Sequence, residues 1–251
     1  GYGGSVFRIE ERVLDPVSII EELATPVTES TFQIDWETDA RWDGDAIQLG
    51  KSGITIRAKR YIFAAGKGNP SLLEARGFSA PAMQTRPLHQ VVIRKSGLPD
   101  FFSVCIGSTP KPPIVSTTHI DAEGRTVWYI GGDLAEADGV ARTEAEQIQT
   151  AQNWFAKHMS WIDFSGAEWD TIRIDRAEPK TESGARPPGA FCEKVGENVI
   201  AGWPTKLALA PNFADQVLAI LKADGISPDA AEEDLSKIAL PRPAIGKPPW
   251  A

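Results

Sequence analysis

The sequence predicts an α+β fold: a mixed, largely antiparallel sheet with helices on one face. Three observations lead there. Many short segments rich in β-branched and aromatic residues are broken by Gly- and Pro-containing turns, only a few stretches carry a helical apolar period, and no internal repeat runs along the chain. A length of 251 residues is enough to bury a full core without disulfides. The 42% apolar and 24% charged residues are those of an ordinary soluble globular protein.

Taken in order, LDPVSIIEELA at 14–24 has an acceptor at Asp15, Pro at the first helical position and apolar residues at Ile19, Ile20 and Leu23, which predicts a short helix. Segments 31–36, 46–49 and 54–65, separated by Asp-Gly and Ser-Gly turns, predict an antiparallel meander. Asn69-Pro70 repeats the cap-and-proline device and opens a short helix through Leu72 and Leu73. Strands are expected near 88–94, 102–107, 114–120 and 126–132, the last two closing a hairpin around Gly124. Thr143 and Glu146 have capping-box spacing ahead of a helix with apolar positions at Ile148, Ala151, Trp154 and Phe155. Strands near 169–175 and 197–202 follow, then an amphipathic helix at 210–223 and a proline-rich, extended tail over 224–251.

Charge and motifs exclude several functions. A formal net charge of -8 without a basic run argues against nucleic acid as the main partner. No apolar run reaches the length of a membrane span. Cys105 and Cys192 have no metal-ligand spacing around them and read as buried thiols of a reducing, cytoplasmic compartment. His89, His119 and His158 make no metal motif, and no GxSxG elbow supports a hydrolase built on His89 or His119. Neither GxGxxG nor GxxxxGK[ST] occurs, so a glycine-rich phosphate cradle is lacking. The first residues, GYGGSVFRIEE, lack an initiating Met, and the start reads as a cut.

Several compact segments rich in Arg, Pro, Gly and Trp do not read as core. They are RYIFAAGKGN at 60–69, TRPLHQ at 85–90, WYIGGDLAE at 128–136, DRAEP at 175–179, ARPP at 185–188 and AGWPTKLALAPN at 201–212. In this order they resemble the D-amino-acid-oxidase-like family of FAD-dependent oxidoreductases, which includes glycine and sarcosine oxidases and flavin-linked glycerol-3-phosphate dehydrogenases. The resemblance runs from about residue 5 to residue 222 and covers the family's later part, with the N-terminal dinucleotide-binding strand-turn-helix missing.

The resemblance implies FAD as the cofactor of the intact parent, a small-molecule substrate, and a missing FAD-domain segment or partner chain. It divides the chain into the start of a substrate domain (1–60), a returning FAD-domain strand and turn (61–84), the substrate domain (85–196), a flavin-side strand and last helix (197–223) and the tail (224–251). The strand and helix would belong to an incomplete FAD-binding domain. Ala65 and Gly66 would lie beside the flavin, and so would Gly202, Thr205, Lys206 and Leu207, where backbone N–H groups and a positive helix end favour negative charge on the reduced ring. Trp203, Pro204 and Lys206 depart from the Gly and His of many members. Arg186 would clamp an anionic substrate group with its planar fork, or else be a surface arginine in a proline turn. His89 stands where the family commonly has Gly, facing the ring or bonding within its own turn. Arg176 reads as a structural ion pair, and Gly131, Gly132 and Glu136 as architecture. The reaction implied is oxidation of an amino acid, secondary amine or hydroxy acid, with the isolated chain inactive. The alternative is a non-catalytic substrate-domain module or subunit without its own FAD site.

Overall fold

The computed structural model describes residues 5–106, 111–228, 235 and 238–250. In chain order its elements are α1 (Pro16–Ala24), β1 (Ala40–Asp43), β2 (Ala46–Leu49), β3 (Ile54–Arg57), β4 (Tyr61–Phe63), α2 (Asn69–Ala75), β5 (Met83–Lys95), β6 (Ser103–Val104), β7 (Val115–Ile120), β8 (Thr126–Gly131), α3 (Asp138–Ala141), α4 (Glu144–His158), β9 (Glu168–Pro179), β10 (Phe191–Val195), β11 (Val199–Trp203) and α5 (Ala210–Ala223). The fold is α+β, as the sequence predicts. Among the described residues no helix is long and apolar enough to cross a membrane.

The chain divides into two compact units, residues 1–22, 87–175 and 245–251 in the first and 23–86 and 176–244 in the second. These boundaries differ from the expected segments. Residues 23–60 and 176–196 group with β4 and β11 because Ile47 and Leu49 of β2 bury their side chains against Tyr61, Phe63 and Val199.

In the first unit a five-stranded sheet has the order β6-β7-β8-β5-β9. Strands β5 and β8 pair antiparallel with Val92 opposite Tyr129, and β7 pairs antiparallel with β8 with Thr117 opposite Tyr129. The hairpin between β7 and β8 turns at Gly124, whose φ of 76° lies in the left-handed region that glycine adopts freely. One sheet face, with Val91, Ile93, Trp128 and Ile130, is buried against Ala151 and Phe155 of α4. That helix carries the predicted capping box: the Thr143 side chain accepts from the Glu146 N–H, and the Glu146 carboxylate accepts from the Thr143 N–H at 2.8 Å. The IGGDLAE stretch is architectural. Gly132 has φ 88°, and a Cβ there would lie 2.7 Å from the Pro112 carbonyl oxygen. Helix α3 follows it and escapes a reading by period, being four residues long.

The second unit holds two three-stranded sheets. Strands β1, β2 and β3 form the antiparallel meander. The other sheet has the order β10-β11-β4, with β10 antiparallel and β4 parallel to β11. Phe213 and Val217 of α5 pack on Ile200.

Three local expectations give way here. Residues 31–35 are extended but join no sheet; Gln33 donates its N–H to the Pro241 carbonyl, and the chain then turns at Asp35, whose Oδ1 accepts the Thr38 N–H at 2.9 Å. The stretch 54–65 is two strands, since Arg60 turns to Asp224 on bonds of 2.8 and 2.7 Å and frees β4 to leave the meander. Strand β10 was not predicted because FCEKV has little alternation, and its pairing with β11 supplies what its pattern lacks. The tail residue Arg242 donates to the Thr31 carbonyl at 2.9 Å and stacks over Phe32, so this part of the proline-rich segment is tied down.

The Asp35 turn predicts an acid dependence. Hydrogen bonds from the Thr38 side chain and N–H hold the Asp35 carboxyl at about 2, below its ordinary 3.8. A carboxylate depressed on folding stabilises above its unfolded value and loses that contribution as pH falls through its folded one. Asp35→Asn therefore flattens the fall in urea midpoint between pH 4 and pH 2, while leaving the neutral-pH midpoint lower than that of the unaltered chain.

Candidate active site

Three turns of the second unit are brought together by hydrogen bonds. Strands β4 and β11 run parallel, so their carboxyl ends lie on the same side of the sheet and the AAGKGN and WPTKL turns leave it side by side. The carboxyl ends of parallel strands are where α/β sheets place their ligands. Asn69 joins the two turns. Its fully buried side chain accepts the Ala65 N–H through Oδ1 at 2.7 Å and donates through Nδ2 to the Gly202 carbonyl at 2.9 Å. The Asn-Pro pair reads locally as a helix cap, yet Gly68 holds the N-cap position and Asn69 is the first residue of α2.

Trp203 makes a second tie, its indole N–H donating to the Gly66 carbonyl at 2.9 Å. This accounts for the departure at this position: the ring is 1% exposed and braces the neighbouring turn. A third tie runs from the Thr205 hydroxyl to the Gly189 carbonyl at 3.1 Å and brings in the ARPPG turn. Thr205 itself has φ 61°, a conformation that costs a β-branched residue on the order of 1–3 kcal/mol. Gly202 is required by packing, since a Cβ would lie 2.2 Å from the Phe191 carbonyl oxygen and 2.4 Å from the Phe213 ring.

Around these ties Ala65, Lys206 and Leu207 are exposed and Gly66 and Thr205 half-buried. The short 3-10 turn at Leu207–Leu209 and the start of α5 have no side-chain cap and no acidic residue in the first turn. Their N–H groups therefore stand at an uncompensated positive helix end with Lys206 beside it.

Arg186 is exposed and has no hydrogen-bond or ion-pair partner among the described residues, so its guanidinium is free to take an anion. The turn that carries it is held from beneath. Gln84 donates to the carbonyls of Gly184 at 3.2 Å and Ala185 at 3.1 Å, accepts the Thr181 N–H at 3.0 Å, and donates to the buried Glu178 carboxylate at 2.9 Å. Glu178 also accepts from Arg86 Nε, so the Arg86 guanidinium is its ion-pair partner. The sequence assigns no such brace to Gln84, and Arg86 and Glu178 stand in TRPLHQ and DRAEP with no sign of their pairing. Their only signal is the placing of TRPL and DRAEP on two strands that lead to the turn.

His89 lies on β5 in the first unit, and its ring bonds across to Gly139 rather than within its own turn. It is fully buried, with Nδ1 3.0 Å from the Gly139 carbonyl oxygen and Nε2 without a partner among the described residues. Gln147 of α4 donates to its backbone carbonyl at 2.6 Å. The ring is thus enclosed by the first unit's own residues. Cys105 and Cys192 are free, half-buried thiols, pushed up by burial.

No family model matches the chain. A probable FAD-dependent oxidoreductase from Pseudomonas aeruginosa is 43% identical over 250 residues, covering 100% of this chain and 63% of that protein. The crystal structure of an FAD-dependent oxidoreductase from Pseudomonas aeruginosa matches with a TM-score of 0.83 at 43% identity, over 95% of this chain and 64% of its own. Iminodiacetate oxidase from Chelativorans matches at a TM-score of 0.47 and 13% identity, over 77% of this chain and 50% of its own. The chain thus spans 63% and 64% of the two Pseudomonas relatives. Over the part of their length that it spans, the chain is similar in sequence and fold to these FAD-dependent oxidoreductases.

Proposed function

We propose that this chain supplies the flavin-side turns and the substrate clamp of an oxidoreductase acting on an amino acid, secondary amine or hydroxy acid. The observation that carries the reading is the Asn69 bridge, which fixes the two turns expected beside the flavin against each other. The residues present fit one end of FAD. The positive helix end that begins at Leu207 and the exposed Lys206 ammonium suit a ring that becomes negative, beside the exposed Ala65. FAD, when bound, supplies the acceptor for a hydride equivalent.

The chain's own residues bind and orient. Arg186 grips an anionic group of the substrate through two parallel N–H bonds, and the Gln84 and Glu178 braces keep its turn in place. No catalytic base is assigned. A small-molecule substrate and a segment or partner chain carrying the phosphate cradle are the partners, in a cytoplasmic setting that suits the two free thiols. The chain by itself does not retain FAD, because nothing in its sequence offers a glycine-rich pyrophosphate site. On that account it acts alone as a substrate-domain module.

Arg186→Ala, in a form of the protein that binds FAD, lowers kcat/KM for a carboxylate substrate by about 10- to 100-fold, the worth of a charge-assisted hydrogen bond. Flavin content stays constant. Unchanged apparent affinity and turnover, measured by amine or hydroxy-acid oxidation, would remove Arg186 from the site.

A further inference from the structure

The first unit's sheet has two unlike faces. One is covered by α4. The other presents Gln90, Thr117, His119 and Tyr129, and on it sits a residue from far along the chain, Trp250. Its indole ring lies 3.7 Å from the His119 ring, centroid to centroid, at an interplanar angle of 17°, and 5.2 Å from the Tyr129 ring at 59°. We propose that this face is a binding site for a planar aromatic group and that Trp250 occupies it from within the chain.

The platform is held by bonds that Trp250 does not make. Thr117 Oγ1 lies 2.9 Å from His119 Nε2 and fixes the plane of the imidazole. The Tyr129 hydroxyl donates to Gln90 Oε1, fixing the phenol ring. Both bonds join side chains of the sheet itself, and the β7–β8 and β5–β8 pairings set their register. The stacking surface is therefore organised before any ring arrives.

The occupant is weakly tied by comparison. Among the described residues no backbone hydrogen bond holds 245–250 to the rest of the unit, and the indole N–H has no partner. What seats Trp250 is ring contact, which any flat aromatic system of similar size can reproduce. Stacked and tilted aromatic pairs gain beyond area burial, and the gain depends on geometry rather than on sequence identity. The ligand class is accordingly a planar aromatic or heteroaromatic ring of at least indole size. A ligand of this kind and Trp250 exclude one another.

Indole is the probe. The chain has only three histidines, so the ring signals of His89, His119 and His158 can be followed separately by NMR, with His119→Asn assigning the one at the site. Trp250→Ala binds indole saturably, with ring-current shifts at His119 and Tyr129, at concentrations at least tenfold lower than the unaltered chain requires. Trp250→Phe lies between the two, and it carries the same comparison should the alanine variant fail to fold. His119 signals that stay still when indole is added to the variants, or that move at the same indole concentration in variants and unaltered chain, would overturn the proposal and leave Trp250 as packing alone.

Discussion

Arg86→Ala lowers the stability of the fold by about 3–5 kcal/mol, the cost of leaving a buried carboxylate without its cation. Glu178 has a side chain 1% exposed to solvent and takes its charge compensation from the Arg86 guanidinium, with Gln84 donating a further bond at 2.9 Å. Removing the arginine strands the negative charge in a medium that solvates it poorly. Removing both ends, in Arg86→Met with Glu178→Leu, takes away the charge together with its partner and recovers most of the loss. Urea unfolding of Arg86→Met, Glu178→Leu and the double variant measures the coupling. A double variant as unstable as Arg86→Ala would show that packing, not charge, dominates there. Because Gln84 is shared between Glu178 and the Arg186 turn, the single variant also loosens that turn.

Asn69→Leu costs about 2–4 kcal/mol through a different mechanism. Leucine keeps the branched shape of asparagine in a somewhat larger side chain, but the buried Gly202 carbonyl then has no Nδ2 donor and the Ala65 N–H loses its acceptor. The two turns proposed to flank the flavin then lose the bridge between them. Amide exchange at Ala65 quickens by more than the global loss accounts for, whereas exchange in the first unit's sheet follows global stability alone. Equal acceleration at both places would mean that Asn69 only supports the fold.

Much of this architecture was legible because its signals are local. The capping box at Thr143 and Glu146, the Asp15 cap before Pro16 and the Gly124 hairpin each depend on residues a few positions apart, and each stands where the sequence predicts. Pairing between distant strands was not legible. Nothing in YIF or VIAGW says that β4 leaves its neighbours to run parallel to β11, since a short apolar run satisfies either arrangement.

The candidate site follows the same division. Motif order brought out the AAGKGN, ARPP and WPTKL turns as separate pieces, while Asn69, Trp203 and Thr205, which tie them together, bond to backbone atoms and leave no pairwise pattern in sequence. Asn69 is the plainest case, for an asparagine before proline looks the same whether it caps a helix or bridges two turns. His89 shows the converse. Its motif allowed a place near the ring or a bond within its own turn, and nothing in the motif foretells the buried bond to Gly139.

The central claim is that the WPTKL turn and the head of α5 face the flavin, and Lys206→Glu tests it most directly. Lys206 is exposed and without a partner among the described residues, so reversing its charge costs the fold little. Charge at a helix end is worth about 1–2 kcal/mol in favourable geometry, or about 20–40 mV for a two-electron couple. In a form of the protein that carries FAD, the flavin midpoint potential measured at low salt falls by that amount in Lys206→Glu, because negative charge on the reduced ring is then opposed rather than favoured. A potential identical to that of the unaltered protein would contradict the account and place the flavin elsewhere.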